Sequence, residues 1–151
     1  MIVNGHLIQT GENLYKADLS GADLSGADLS VWARDRATLA NANLTGADLN
    51  DADLRGADLN NAMLIGATLN GANLSHYQVL GSWTNYRTEL NGADLSSADL
   101  SGVNLDGAYF TGANLSKVIS GAIEGTPNLP TAYSMLNGYI VGPGVDLSDI
   151  D

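Results

Sequence analysis

The groups in this chain that could do chemistry are its carboxylates, and their placement is regular. Asp18, Asp28, Asp48, Asp53, Asp58, Asp94 and Asp99 each stand directly before a leucine. Carboxylates held close together can share a proton or bind a hard cation. Such a cation takes about six or more oxygen ligands, so two aspartates alone hold it weakly. The remaining chemical stock is thin. No cysteine is present, so neither a disulfide framework nor thiol chemistry is open to the chain. His76 has no serine or cysteine nucleophile pattern with it, and no H-E-x-x-H, P-loop or nucleophile elbow occurs. The residues predict no enzyme, no cofactor and no metal.

What positions the aspartates is a repeat. From Ala37 to Leu74 every fifth residue is leucine: Leu39, Leu44, Leu49, Leu54, Leu59, Leu64, Leu69 and Leu74. Two residues before each stands an alanine, from Ala37 and Ala42 through to Ala72. A period of five matches neither the helical period of about 3.6 nor the strand period of about 2. It is read as an internal repeat in which the chain turns a corner every five residues. At each repeat the leucine fills the centre and the small alanine fits the crowded corner. Four sides close a coil of about 20 residues, and stacked coils pair their backbones roughly 4.8 Å apart. The same column continues through Leu95, Leu100, Leu105, Phe110 and Leu115. Glycine recurs two residues after the leucine (Gly21, Gly26, Gly46, Gly56, Gly66, Gly71), where a tight corner calls for positive φ.

The A-(D/N)-L-x-x motif, read over most of residues 12–116, resembles the pentapeptide-repeat family. The resemblance implies an all-β fold, the right-handed quadrilateral β-helix, with a filled leucine column and no interior pocket. It implies little about function, because one scaffold serves many roles. The first expectation is a non-catalytic structural or protein-interaction module on a rigid acidic rod. The alternative that the resemblance offers is a DNA mimic. Acidic rods of this family resemble duplex DNA in width and charge, and quinolone-resistance members engage DNA gyrase that way. No helical C-terminal dimerisation segment is visible here to match them. The repeat also occurs in cyanobacteria and their phages, which adds a phage-encoded or virion accessory role.

Bulk properties narrow the partners. The length of 151 residues suits one domain. A net charge of −11 disfavours direct contact with nucleic acid or anionic membrane. No apolar run approaches the roughly 18 residues of a membrane-spanning helix. The first residues, MIVNGHLIQ, are too short and uncharged for a signal peptide, so a cytoplasmic location is expected.

Two stretches break the repeat. Residues 32–36 read Trp-Ala-Arg-Asp-Arg. Phase is kept, since Leu29 and Leu39 are ten apart, and Arg34 falls on a leucine position. A lone guanidinium cannot enter an apolar column without a large desolvation cost. The backbone is expected to bulge outward there with Trp32 shielding the gap. Trp32, Arg34 and Arg36 then form either a binding protrusion or a tolerated, solvated bulge. The second break lies between Leu74 and Leu90, 16 residues apart, or three repeats plus one. The coil is expected to continue through it with a one-residue insertion near Val79-Leu80. His76, Tyr77, Trp83, Tyr86 and Arg87 crowd this break, as a recognition surface for an unidentified protein partner or as a bulge packed by its own aromatics.

The ends are read as caps. Residues 1–11 suggest a short strand pair over the first coil. Residues 117–151 form a non-repeat segment with strand-prone Val118, Ile119, Ile123, Leu136, Ile140 and Val141, broken by Pro127 and Pro130. The two ends echo each other. Asn137-Gly138-Tyr139-Ile140-Val141 and then Gly144-Val145-Asp146-Leu147 parallel Asn4-Gly5-His6-Leu7-Ile8 and then Gly11-Glu12-Asn13-Leu14 at an offset of 133. Either the chain is one module of a longer tandem protein, or the tail imitates the entrance to the coil. Coil ends left uncovered would be open strand edges and would stack end to end.

Projecting the residue before each leucine onto four sides, at about 20 residues per coil, gives the outward surface. One side carries Asp18, Thr38, Asp58 and Asp99; another Asp53, Asn73, Asp94 and Asn114; a third Asp28, Asp48, Thr68 and Glu89. Asp28 and Asp48 then form an adjacent like-charged pair, and Asp28, Asp48, Asp53, Asp58, Asp94 and Asp99 are read as a solvated acidic ladder.

Overall fold

The computed structural model describes residues 2–3, 6–8, 13–30, 38–78 and 85–148. Its unit is a corner. The Leu44 carbonyl accepts the Ala47 N–H at 3.0 Å, and the same leucine-to-alanine bond recurs from Leu14 to Ala17 through Leu115 to Val118. Between them the second residue after the leucine has left-handed φ, as at Gly46 (65°), Asn41 (59°) and Asp51 (57°). Positive φ at that place is what a type II turn requires, and glycine, asparagine and aspartate reach it most cheaply. The leucines and alanines between positions 39 and 74 are buried, nearly all completely, in one apolar column.

The residue before each leucine has a local task. Asp48 Oδ1 accepts the N–H of Asn50 at 3.0 Å, Asp94 that of Ser96 at 3.0 Å, and Asn73 that of Ser75 at 3.1 Å. A short side-chain oxygen that bonds the backbone two residues on is a turn former. The aspartate or asparagine of each repeat therefore braces the corner that follows it.

Stacking comes from the backbone. Asp48 N–H bonds the Ala22 carbonyl at 2.9 Å, and Leu24 N–H bonds the Asp48 carbonyl at 2.8 Å. Repetition of this parallel pairing builds four ladders. The first runs Asn13, Thr38, Asp58, Glu89, Tyr109, Asn128; the second Asp18, Asn43, Met63, Asp94, Asn114. The third runs Asp23, Asp48, Thr68, Asp99, Ile119, and the fourth Asp28, Asp53, Asn73, Asn104, Glu124.

These ladders correct the projected sides. Thr38 pairs with Asp58, 20 residues on, but Asn13 pairs with Thr38 across 25 and Asp58 with Glu89 across 31. Asp28 lies against Asp53 and not Asp48, and Asp18 against Asn43 and not Thr38. Beyond the second break, Asp99 joins Thr68, Asp94 joins Met63, and Glu89 joins Asp58. The coil does not continue through residues 74–89 with one residue added. It leaves the fourth side at Asn73 and rejoins the first at Glu89, sixteen residues on. The reason lies in the column. A side at 32–36 would bury Arg34, and sides between Leu74 and Leu90 would bring polar residues into the centre.

Among the described residues three short hairpins accompany the coil. β1 (Ile2–Val3) pairs with β2 (His6–Leu7), β3 (Tyr77–Gln78) with β4 (Asn85–Tyr86), and β5 (Ser134–Leu136) with β6 (Tyr139–Val141), all antiparallel. The coil runs past residue 116, through Ile119, Glu124 and Asn128, so the expected boundary there is too early. In this last coil Ser120 and Gly125 stand where leucines stood. Buried Phe110 and Ile140, the latter from β6, fill that end of the column. Ile140 N–H bonds Ser120 Oγ at 3.1 Å, and Ile123 N–H bonds the Gly138 carbonyl at 3.0 Å.

Candidate interaction surface

Both breaks leave the coil at the same corner, the one joining the fourth side to the first. From Asp28 to Thr38 and from Asn73 to Glu89 the chain spends ten and sixteen residues where a regular side takes five. Between them in the stack, residues 54–57 make the same corner regularly. All four arginines of the sequence (Arg34, Arg36, Arg55, Arg87) and both tryptophans (Trp32, Trp83) fall in segments that turn or depart here. Trp32, Arg34, Arg36, Trp83 and the Val79-Leu80 insertion point lie outside the described residues. His76, Tyr77, Tyr86 and Arg87 are brought together along the edge.

The hairpin β3–β4 sets Tyr77 opposite Tyr86. Its base is held by Thr88, which is fully buried in the position that alanine takes elsewhere. Thr88 Oγ1 accepts the Gly56 N–H at 2.9 Å and lies 3.0 Å from the Leu54 carbonyl and 3.1 Å from that of Ser75. One hydroxyl thus adds to backbone bonds already in place, since the Gly56 N–H also reaches the Ser75 carbonyl at 3.2 Å and the Ala57 N–H the Leu54 carbonyl at 3.0 Å. Arg55 grips Asp53 with both ends of its fork, Nε to Oδ1 at 2.9 Å and Nη2 to Oδ2 at 2.6 Å. That carboxylate holds the Arg55 guanidinium above its ordinary range. The guanidinium carbon also lies 5.6 Å from the Tyr77 ring centre.

Arg87 repeats the arrangement farther along. Its Nη1 donates to Tyr109 Oη at 2.7 Å, and its guanidinium carbon sits 4.9 Å from that ring. Arg87, Glu89, Asn91 and Tyr109 line a shallow hollow of about 240 Å³. His76 Nδ1 lies 3.5 Å from Asp106 Oδ2, an ion pair when the imidazole is protonated. The edge therefore presents two arginine–tyrosine pairs and a histidine on an otherwise acidic rod. No nucleophile is set against a base among these residues.

The acidic residues are spread differently. Asp28 and Asp53 share the fourth side, Asp48 and Asp99 the third, while Asp94 is on the second and Asp58 on the first. The six form no single face. Direct like-charged neighbours do occur, at Asp23/Asp48, Asp28/Asp53 and Asp58/Glu89. Local donors offset the repulsion. Ser30 Oγ bonds Asp28 Oδ1 at 2.7 Å, Arg55 bonds Asp53, and Asn60 Nδ2 bonds Glu89 Oε2 at 2.9 Å. The Ser25 hydroxyl lowers the Asp23 pKa. At Asp99 burial pushes upward, and hydrogen bonds from Ser101 and Asn70 outweigh it, so the net shift is downward. Among the described residues no group of three or more acidic or histidine side chains could hold a metal ion.

Comparison with known proteins rests on this geometry. The family model for pentapeptide repeats matches in eight copies over residues 10–30, 36–75 and 88–119. The chain belongs to the pentapeptide-repeat family. The model's gaps coincide with the two departures at the fourth corner. Among solved structures this pentapeptide-repeat chain is similar to HetL of the cyanobacterium Nostoc sp. strain PCC 7120, described as involved in heterocyst differentiation regulation. Identity is 37% over 87% of this chain, with a TM-score of 0.74, and the match spans 54% of HetL. Rfr23 of the cyanobacterium Cyanothece 51142 is 32% identical over 78% of this chain and 63% of its own, with a TM-score of 0.36. QnrB1, a plasmid-mediated fluoroquinolone resistance protein, is 21% identical over 91% of this chain and 82% of its own, with a TM-score of 0.28. No curated protein matches. Among the described residues no helix is long and apolar enough to cross a membrane.

Sequence reading missed Thr88, Arg55 and Tyr109. Two signals pointed to them. Thr88 replaces the alanine two before Leu90, and Arg55 is the one basic residue between Ala37 and Leu74.

Proposed function

We propose that this pentapeptide-repeat chain is a non-catalytic module that docks a protein partner along its fourth corner. The observation that carries the reading is the convergence of Arg55, Arg87, Tyr77, Tyr86 and Tyr109 on one edge of a chain with net charge −11. Arginine, tryptophan and tyrosine dominate binding energy at protein interfaces. A stack of fully bonded coils holds them at fixed spacing, so little is spent on ordering the scaffold when a partner binds. The arginines favour a partner that brings carboxylates or aromatic faces to the edge.

A DNA mimic is the competing reading, supported by the like-charged neighbours on three sides and opposed by the basic seam. Two variants separate them. Tyr86→Ala with Arg87→Ala removes the seam, and Asp48→Asn, Asp53→Asn and Asp58→Asn together remove charge. A partner identified by site-specific photo-crosslinking from position 86 should lose at least about tenfold in affinity with the first variant. It should keep its affinity with the second. The reverse pattern, together with inhibition of gyrase supercoiling by the native chain alone, sinks the docking reading in favour of mimicry.

A further inference from the structure

The two ends of the stack carry the same hairpin and leave different residues uncovered. At the offset of 133, Ile2 and Leu7 correspond to Met135 and Ile140, and Val3 and His6 to Leu136 and Tyr139. The pairing registers agree: Ile2 faces Leu7 as Met135 faces Ile140, and Val3 faces His6 as Leu136 faces Tyr139. The correspondence continues through Ile8 with Val141, Asn13 with Asp146 and Leu14 with Leu147.

At the first end these residues belong to the core. Ile8 and Leu14 are buried, and Val3 packs against the column. Leu14 N–H bonds the Thr38 carbonyl of the next coil at 2.8 Å. At the far end their counterparts are bare. Leu136 is 59% exposed and Leu147 43%, and Val141 is half-buried. The far hairpin uses one face against the last coil, through Ile140, Gly138 and Gly144. Its other face is the one that the first coil covers on the equivalent hairpin. The internal equivalence thus says what shape fits there: a leucine-centred coil.

We infer that this far face, Leu136, Val141 and Leu147, is a docking surface for the first coil of a second copy of this chain. The β5–β6 hairpin and the Asp146-Leu147 strand of one copy take the places that β1–β2 and Asn13-Leu14 hold against the other copy's coil. Each junction then keeps one hairpin between two stacks, and the displaced first hairpin moves aside. The contact is head to tail, so it propagates into rods and does not close into a pair. Two copies of charge −11 repel, so salt strengthens the association. The inference stands independently of the partner reading, since the edge at the fourth corner takes no part in it.

Sedimentation velocity on the full chain in about 0.5 M salt, where charge is screened to within a few ångströms, tests it. The expected result is concentration-dependent rods. Leu136→Asp with Leu147→Asp, both at exposed positions, should weaken them at least about tenfold. Ile65→Asp, exposed at mid-stack, should leave them unchanged. A second test mixes chains carrying Asp146→Cys with chains carrying Thr38→Cys. Within one copy these positions lie about four coils apart, or about 19 Å along the stack, too far for a disulfide. Across the proposed junction they become bridge partners, as Asn13 and Thr38 are, and a mixed dimer should form. A chain that stays monomeric to about 1 mM (a Kd that weak is barely −4 kcal/mol), or a cross-link no better than with Ile65→Cys, overturns the proposal.

Discussion

Two corners of the same coil solve one problem differently. At the corner after Leu64, Gly66 takes positive φ, Ala67 fills the inside, the Ala67 N–H bonds the Leu64 carbonyl, and the Gly66 N–H reaches the Ser96 carbonyl of the next coil. No side-chain hydrogen bond is needed. At the corner after Leu74 the chain departs into a hairpin, and the buried Thr88 hydroxyl adds bonds to the Gly56 N–H and to the Leu54 and Ser75 carbonyls from inside the column. The comparison teaches that a regular corner can hold its shape through packing and backbone bonds, with no buried polar side chain. The fourth corner adds a buried polar side chain beside an interruption, and along it lie Arg55, Arg87, Tyr77, Tyr86 and Tyr109.

Breaking the regular side should cost most. Leu64→Ala opens a cavity in a column with no room to collapse, and urea denaturation should show a loss of about 3 kcal/mol. Thr88→Val keeps the volume and removes the hydroxyl. It should cost about 1 kcal/mol by removing the hydroxyl's bonds to the Gly56 N–H and to the Leu54 and Ser75 carbonyls, all of which keep backbone partners, whereas Thr45→Val, outside the column, should cost little by the same measurement. If Thr88→Val proves neutral, the two corners do not differ as described.

Smaller effects sharpen the contrast. Gly66→Ala meets nothing within 4 Å, so its cost is the left-handed backbone alone. It should be about 1 kcal/mol, with Gly66→Asn cheaper, because Asn41 and Asn61 already adopt that conformation. Arg55→Met removes a half-exposed ion pair and should shift stability by less than about 1 kcal/mol, although it strips Tyr77 of its cationic neighbour. The smallest difference is one of pH. The folded pKa of Asp23 lies below its ordinary value, so its contribution is present above about pH 4 and is lost as pH falls through the folded pKa. Ser25→Ala should therefore reduce thermal stability at pH 7 and make no difference near pH 2.

Much of this was legible in the sequence because the signal is local. The leucine at every fifth position, the alanine two before it and the glycine two after it each answer to one corner, and a corner does not depend on the rest of the chain. The aspartates were misread in part for the opposite reason. Their side-by-side neighbours depend on how many residues each coil consumes. The sequence kept its five-residue phase through Arg34, which disguised the departure as one more side. The sixteen residues from Leu74 to Leu90 likewise fit three repeats plus one as arithmetic. Thr88 looks like a minor substitution in the sequence, because only the fold brings its hydroxyl to Leu54, Gly56 and Ser75.

By itself, then, the sequence determined the repeating corner, the leucine column and the four-sided coil, since these follow from short-range sterics and burial repeated in phase. The tertiary structure alone decided which carboxylates are neighbours, that both interruptions leave from one corner, and that the two matching hairpins cover their ends unequally. Those are relations between coils, fixed by backbone pairing across 20, 25 and 31 residues, and a period of five is blind to them.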